Sequence, residues 1–189
     1  MCKGKLIIVS APSGSGKSTI IGKIINDSDL KLAFSISATT RAPRTGEIDG
    51  VHYHFMNVDD FKKAIEDNAL VEYEEVYPGR YYGTLKSEIE RIQNEGKNVI
   101  LDIDVKGGVN VKRIYGNDAL SIFIQPPSID ELRNRLLSRA TDSIDAINQR
   151  VGKAEYELSF KDKFDAVVVN DDLNKAVEQT REIILKFVK

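Results

Sequence analysis

The run Leu6-Ile7-Ile8-Val9-Ser10-Ala11-Pro12-Ser13-Gly14-Ser15-Gly16-Lys17-Ser18 constrains this chain more than any other. Lys5–Ser10 is too short for a helix and does not alternate, so it reads as a strand buried on both faces, as in a parallel sheet. The Pro/Ser/Gly turn stops it, and a helix is predicted from about Lys17 to Asn26. Strand, glycine turn and helix in that order let backbone N–H groups converge on phosphate oxygens at a helix N-terminus, where the dipole already favours an anion. Ala11, Pro12, Ser13, Gly14, Ser15, Gly16, Lys17 and Ser18 thus read as a phosphate-binding loop. Lys17 reaches the β- and γ-phosphates, and the Ser18 hydroxyl can ligate Mg2+. Ala11 stands where such loops usually begin with glycine; its methyl narrows the loop geometry and removes no phosphate donor.

Three more runs, Asn98–Ile103, Ala119–Ile124 and Ala166–Val169, have the same continuous apolar character and read as buried parallel strands. Helical patterns lie between and after them. Their start signals are Thr84 before Leu85–Asn94, a Ser128/Glu131 capping box, and Asp171 before Leu173–Phe187. Alternating strands and helices predict an α/β fold, a parallel sheet with helices on both faces. Residues 34–83 break the rhythm. Phe34–Ser37, His52–Phe55, Val71–Glu74 and the tyrosine-rich stretch to Tyr82 are short and alternating, with one helix near Val58–Asp67. They predict a small, mostly antiparallel sheet forming a lobe of its own. Residues 126–155 are helical and polar and read as a lid. The core would then comprise 1–33, 84–125 and 156–189.

A chain of 189 residues suits one compact unit, and the single cysteine, Cys2, excludes an internal disulfide framework. The net charge of −2 gives no bulk attraction to nucleic acid or an anionic membrane, so phosphate must be held by locally placed cations. Seven of the ten arginines fall in two short regions: Arg41, Arg44 and Arg80, then Arg133, Arg135, Arg139 and Arg150. No 18-residue apolar run exists, and the apolar start is too short for a signal-peptide core, so a cytoplasmic protein is expected. No nucleic-acid-binding motif appears. His52 and His54 share one face of a predicted strand but lack partners in metal-ligand spacing, so they read as loosely packed strand residues.

Five ordered motifs carry a resemblance over nearly the whole chain. They are Ser10–Thr19, the Phe-Ser-Ile-Ser-Ala-Thr-Thr-Arg-Ala-Pro-Arg run ending at Arg44, Gly50–Phe55, Gly79–Thr84 and Ile100–Asp104. The chain resembles the guanylate kinase family, and the match continues through Arg139–Asp142 and Val169–Asp171. The resemblance implies an acceptor-phosphate clamp of Arg41, Arg44, Tyr53 and Tyr82, since guanidinium forks bind phosphate bidentately and phenols donate to the remaining oxygens. It implies that Glu72 reads the base. Guanine presents N1–H and the 2-amino group as adjacent donors, whereas adenine would turn an unprotonated N1 toward the carboxylate. Ser37 and Thr84 would add hydroxyls, and Asp104 a further guanosine-side contact.

On the donor side, Thr19, Arg135 and Asn170 join the loop at ATP, and Asp102 resembles the acidic residue placed near Mg2+ in other phosphate-loop enzymes. Arg139 and Arg150 match lid arginines that close over the transferring group, with Ala140 at a hinge where glycine is common. The reaction implied is Mg-dependent phosphoryl transfer from ATP to GMP or dGMP, by a monomer or homodimer. A catalytically dead phosphopeptide-binding module would show a damaged phosphate loop, and a sugar-phosphate kinase of the same fold would lack Glu72 and its hydroxyl set. Here both are intact.

Overall fold

Every residue of Leu6–Ser10 is buried, which a strand achieves only with sheet on both sides and helices on both faces. The computed structural model, which describes residues 3–138 and 143–189, supplies them. Its elements are β1 (Leu6–Ser10), α1 (Lys17–Ile24), β2 (Leu32–Phe34), β3 (Ala38–Thr39), β4 (His54–Phe55), α2 (Val58–Glu66), β5 (Leu70–Tyr77) and β6 (Arg80–Leu85). There follow α3 (Lys86–Asn94), β7 (Asn98–Asp102), α4 (Val105–Tyr115), β8 (Ala119–Gln125), α5 (Ile129–Ser138), α6 (Ile144–Leu158), β9 (Ala166–Val169) and α7 (Leu173–Val188). One sheet, ordered β2-β7-β1-β8-β9, is parallel throughout.

Alternation along β1 serves both faces. Ile7 and Val9 join Ile20, Ile21 and Ile24 of α1 and Ala176 and Ile184 of α7. Leu6 and Ile8 join Ile89 and Ile92 of α3 and Val111 of α4. The strand ends in the loop, and β7 beside it ends at Asp102, so the C-terminal edge of the sheet opens between β1 and β7. That edge is where open α/β sheets bind ligands. No helix among the described residues is long and apolar enough to cross a membrane.

The second sheet, ordered β4-β3-β6-β5, is mixed: β3 pairs with β4 in parallel and with β6 antiparallel, and β5 pairs antiparallel with β6. Phe61 of α2 lies under it, fully buried with Ala38 and Leu70 and stacked on Tyr81 at 5.3 Å. Asn57 caps α2 by accepting from the Asp60 N–H.

The structure corrects several boundaries. The stretch expected to be one strand over 34–37 divides, because β2 is a three-residue edge of the core sheet and the small sheet begins only at Ala38. Thr84 is not a helix cap: it lies within β6, its hydroxyl turned to Glu72, and α3 begins at Lys86 with no side-chain cap. The cap of α7 is Asp172, one residue later than expected, accepting from Lys175 N–H. Ser128 does accept from the Glu131 N–H, but the Glu131 carboxylate takes Arg135 instead of closing the box. His52 lies outside any strand and accepts at Nδ1 from the Ile48 N–H.

Helix α4 has no counterpart among the helices expected from sequence, and Gly107 and Gly108 lower its local propensity. Asp104 starts it by accepting at Oδ1 from the N–H groups of Lys106 and Gly107. A Cβ at Gly108 would stand 2.6 Å from Ser10 Oγ, and one at Gly107 would stand 3.1 Å from Glu72 Oε2, so the glycines let this helix lie against both β1 and the small lobe. Gly83 of β6 is crowded by backbone: a Cβ there would meet the Glu72 carbonyl oxygen at 2.8 Å and Phe61 at 3.1 Å. Gly83→Ala is expected to cost roughly 1–3 kcal/mol through this overpacking. Thermal unfolding measures it, and an unchanged midpoint would show that the β5–β6 pair yields freely.

Candidate functional site

The loop between β1 and α1 turns through two left-handed residues, Gly14 (φ 94°) and Gly16 (φ 90°), where an L side chain is strained. At Gly16 a Cβ would also sit 2.2 Å from Asn170 Nδ2, so any side chain there would push that amide out of place. That amide donates to the Ser15 carbonyl at 2.7 Å, pinning the loop to the residue after β9. Ala11, the departure from glycine, is 8% exposed and its methyl packs into the α1–α7 core. Residues 11–14 and 16–19 line a cavity of about 330 Å³ with Asp102, Asp104 and Glu157. Inside it the Lys17 ammonium pairs with the Asp102 carboxylate. The loop therefore presents its lysine with a counter-ion already in place.

On the outer side of the loop, Gly14, Gly16, Thr19, Arg135 and Asn170 line a second cavity of about 300 Å³. Arg135 is fixed there by two bonds, Nε to Glu131 at 2.9 Å and Nη1 to the Asn170 carbonyl at 3.0 Å. The expected donor-side residues Thr19, Arg135 and Asn170 thus come together. Arg150 reaches from α6 to the loop, Nη1 bonding Ser13 Oγ at 3.1 Å. Arg139 and Ala140 lie outside the described residues.

In the small lobe, Arg41, Tyr53 and Tyr82 converge. The Arg41 guanidinium lies 5.1 Å from the Tyr53 ring centre and 5.7 Å from that of Phe55, and Tyr53 meets Tyr82 edge-on at 6.0 Å. Arg44 stands exposed on the same loop. Sequence reasoning missed Glu47, which holds the cluster: it takes both Arg41 Nη1 and Nη2 at 2.7 and 2.8 Å and accepts the Arg44 N–H at 2.7 Å. Its spacing three residues beyond Arg44 is the signal that could have found it. Hydrogen bonding to Arg41 holds the Glu47 carboxyl down to about 2 and raises Arg41 above its ordinary value.

Glu72, on β5, is 8% exposed and accepts from the Thr84 hydroxyl across the β5–β6 pair at 2.7 Å. Burial raises its carboxyl above the ordinary range, and for the more exposed Glu74 partial desolvation with a hydrogen bond to Asp104 acts in the same direction. These three carboxylates and Lys106 line a cavity of about 430 Å³. Ser37 is not in that cavity; it shares one of about 410 Å³ with Tyr53, His52 and Asp102. The phosphate cavity shares Asp102 with the Ser37 cavity and Asp104 with the Glu72 cavity, so all three adjoin along the two residues that leave β7. Glu157 of α6 is a second unforeseen member. It is 6% exposed in the phosphate cavity, and burial raises its carboxyl too. A polar helix pattern gives no sign of it.

The sequence model of the family described as "Guanylate kinase" matches residues 3–187. A guanylate kinase of Porphyromonas gingivalis is 56% identical over 184 residues, covering 97% of this chain and 98% of that protein. One from Bacteroides thetaiotaomicron is 56% identical over 185 residues, covering 98% and 90%. The crystal structure of guanylate kinase from Anaplasma phagocytophilum superposes with a TM-score of 0.75 at 28% identity, covering 100% of this chain and 88% of that one.

The Arg41–Glu47 pair yields a pH prediction. A carboxyl depressed on folding contributes stability that is present above its unfolded value near 4.5 and lost as pH falls toward 2. Carboxyl carbon NMR should find Glu47 titrating near 2, returning toward 4.5 in Arg41→Ala. A midpoint near 4.5 in the unaltered chain would dissolve the pair.

Proposed function

The chain belongs to the guanylate kinase family, and from that membership we propose how its own residues carry the γ-phosphoryl group of ATP to GMP. It is an ATP:GMP phosphotransferase, a nucleoside monophosphate kinase. The residue-level reading rests on one observation: three polar cavities meet at Asp102–Asp104, one floored by a phosphate loop, one beside an arginine–tyrosine cluster, one holding a buried carboxylate. Donor phosphates lie along the loop, with the adenosine toward Thr19, Arg135 and Asn170. The acceptor phosphate lies against Arg41, Arg44, Tyr53 and Tyr82, and guanine offers N1–H and the 2-amino group to Glu72. Thr84 holds one Glu72 oxygen in place, and Ser37 and Asp104 complete the acceptor side.

The attacking atom is a phosphate oxygen. With a second pKa of about 6 it is largely deprotonated near neutral pH, so no general base is needed. What remains is alignment and neutralisation of charge spread over the equatorial oxygens. Lys17, Arg41, Arg44 and Arg150 supply the positive charge, with Arg139 from the sequence reading. Lys17 is held in the loop cavity by Asp102, and Arg41 is held by Glu47 against Tyr53, so two of these cations are fixed in place. Water competes as acceptor, and α6, reaching the loop through Arg150 and Ser13, is placed to shield the transfer.

Ser18 and Asp102 are hard oxygen donors on the phosphate cavity, and no group of three metal-ligating side chains occurs among the described residues. That set suits Mg2+, which keeps most of its waters and takes one or two protein oxygens beside phosphate. When bound, the ion neutralises charge on the β- and γ-oxygens. The phosphate clamp and Glu72 do not select at the 2′-hydroxyl, so dGMP is a second acceptor. The reaction is cytoplasmic in this reading, as its two substrates are.

Lys17→Ala is expected to lower turnover by about a hundred- to a thousand-fold while GMP still binds, measured by coupled ADP release beside GMP calorimetry. Near-wild-type activity would remove Lys17 from the transfer. Glu72→Gln should erode the preference for GMP over AMP, UMP and a phosphorylated ribose offered in the same assay. An unchanged preference would take Glu72 out of base reading, and turnover with the sugar alone would overturn the acceptor assignment.

A further inference from the structure

The roomiest cavity described lies at the other end of the core sheet. About 780 Å³ in volume, it sits where β1, β7 and β2 begin, and it is lined by Lys3, Lys5, Lys31 and Lys189, with Asp29 and Glu95 on its wall. The residues that build it are locked. Buried Asn98 accepts the Lys5 N–H at 2.7 Å and donates to the Leu30 carbonyl at 2.7 Å. Buried Gln93 donates to the Gly4 carbonyl at 2.7 Å. Gly4 is pressed so closely to the 97–98 peptide that a Cβ would lie 1.8 Å from the Lys97 carbonyl oxygen. Three segments distant in sequence are thereby stitched into a rigid rim.

Charge on that rim is unbalanced. Asp29 is taken by Arg181 at 2.9 Å, and Glu95 by Arg91 at 2.6 Å and Lys97 at 2.8 Å. The Lys5 ammonium rests over the Phe187 ring at 5.6 Å. Among the described residues no ion pair is formed by Lys3, Lys31 or Lys189, although all three line the same space. Lys31 is held in the left-handed region at φ 47°, an uncommon conformation for a lysine. Ammonium groups act as hydrated point charges without the fork that selects a single phosphate, so several around one volume favour a compact, multiply charged anion.

We infer that this cavity is a second anion site, separate from the phosphate loop, which takes a ligand bearing a diphosphate group. It would be filled by inorganic pyrophosphate or by the tail of a nucleoside diphosphate. The two sources share this chemistry and differ in whether a nucleoside adds affinity.

Pyrophosphate also suits the phosphate loop, so the test uses the full chain carrying Lys17→Ala to weaken binding there. Amide resonances of Gly4, Lys31, Gly96 and Asn98 are followed by NMR as pyrophosphate, or ADP in a parallel series, is added. Saturable shifts at these amides are expected, weakening with salt. Lys3→Met with Lys31→Gly should weaken them about tenfold or more, since two nearby charges are lost. Glycine suits the left-handed position, so this variant should hold or raise the unfolding midpoint, which separates lost binding from lost fold. Tighter binding of ADP than of pyrophosphate would assign the tail to a nucleotide; the reverse would assign the inorganic ion. Shifts confined to residues 11–19, or affinity unchanged in the double variant, would overturn the inference.

Discussion

The Asn170 amide donates to the Ser15 carbonyl, and the space it occupies is the space a side chain at residue 16 would need. Much of the site hangs on that pairing. It ties the turn after β1 to the residue after β9, so the loop is held by two strands of the same sheet. It also leaves α1 to start from a left-handed glycine with no side-chain cap, so its first N–H groups remain available to an anion. A glycine cap gives up only a few tenths of a kcal/mol, on the order of 0.3 kcal/mol, relative to Ser or Asp. The dense packing of Ile20, Ile21 and Ile24 against β1 and α7 compensates here.

Electrostatics in the site follow a single pattern. Cations around the cavities are not left bare: Lys17 has Asp102, Arg41 has Glu47 and a tyrosine face, and Arg135 has Glu131. Each partner fixes the rotamer of its cation, so part of the side-chain entropy a contact costs is already lost in the fold. The buried carboxylates Glu72 and Glu157 are the opposite case. They carry a desolvation cost in the empty protein that suitable donors offset on binding. That contrast separates paired cations from carboxylates buried in cavity walls.

The parallel core was legible because a strand covered on both faces carries a run of consecutive apolar residues without alternation, as Leu6–Val9 of β1, Val99–Leu101 of β7, Ile122–Ile124 of β8 and Ala166–Val169 of β9 do. Edge strand β2, three residues long and exposed at Phe34, carries no such pattern. Helix α4 was hidden by Gly107 and Gly108, whose presence answers close approach by Glu72 and Ser10, a tertiary demand that local propensity does not register. Glu157 was illegible, and Glu47 marked only by its spacing from Arg44, for a related reason. An acidic residue in a polar stretch looks solvated until the fold brings a guanidinium or a cavity wall against it. Thr84 was misread because a threonine before a helix and a threonine facing a carboxylate across a strand pair look the same in one dimension.

Strand β5 forms one edge of the small sheet, and from Tyr73 to Tyr77 it is exposed, with Tyr73, Val76 and Tyr77 showing apolar surface. An open edge of that length is a template on which another extended chain could build. Glu74 and Glu75 interrupt the apolar surface, and a second copy approaching edge to edge would bring its own acidic pair against them. The small sheet can therefore stay half-exposed beside its cavities in a crowded solution without becoming a seed for aggregation.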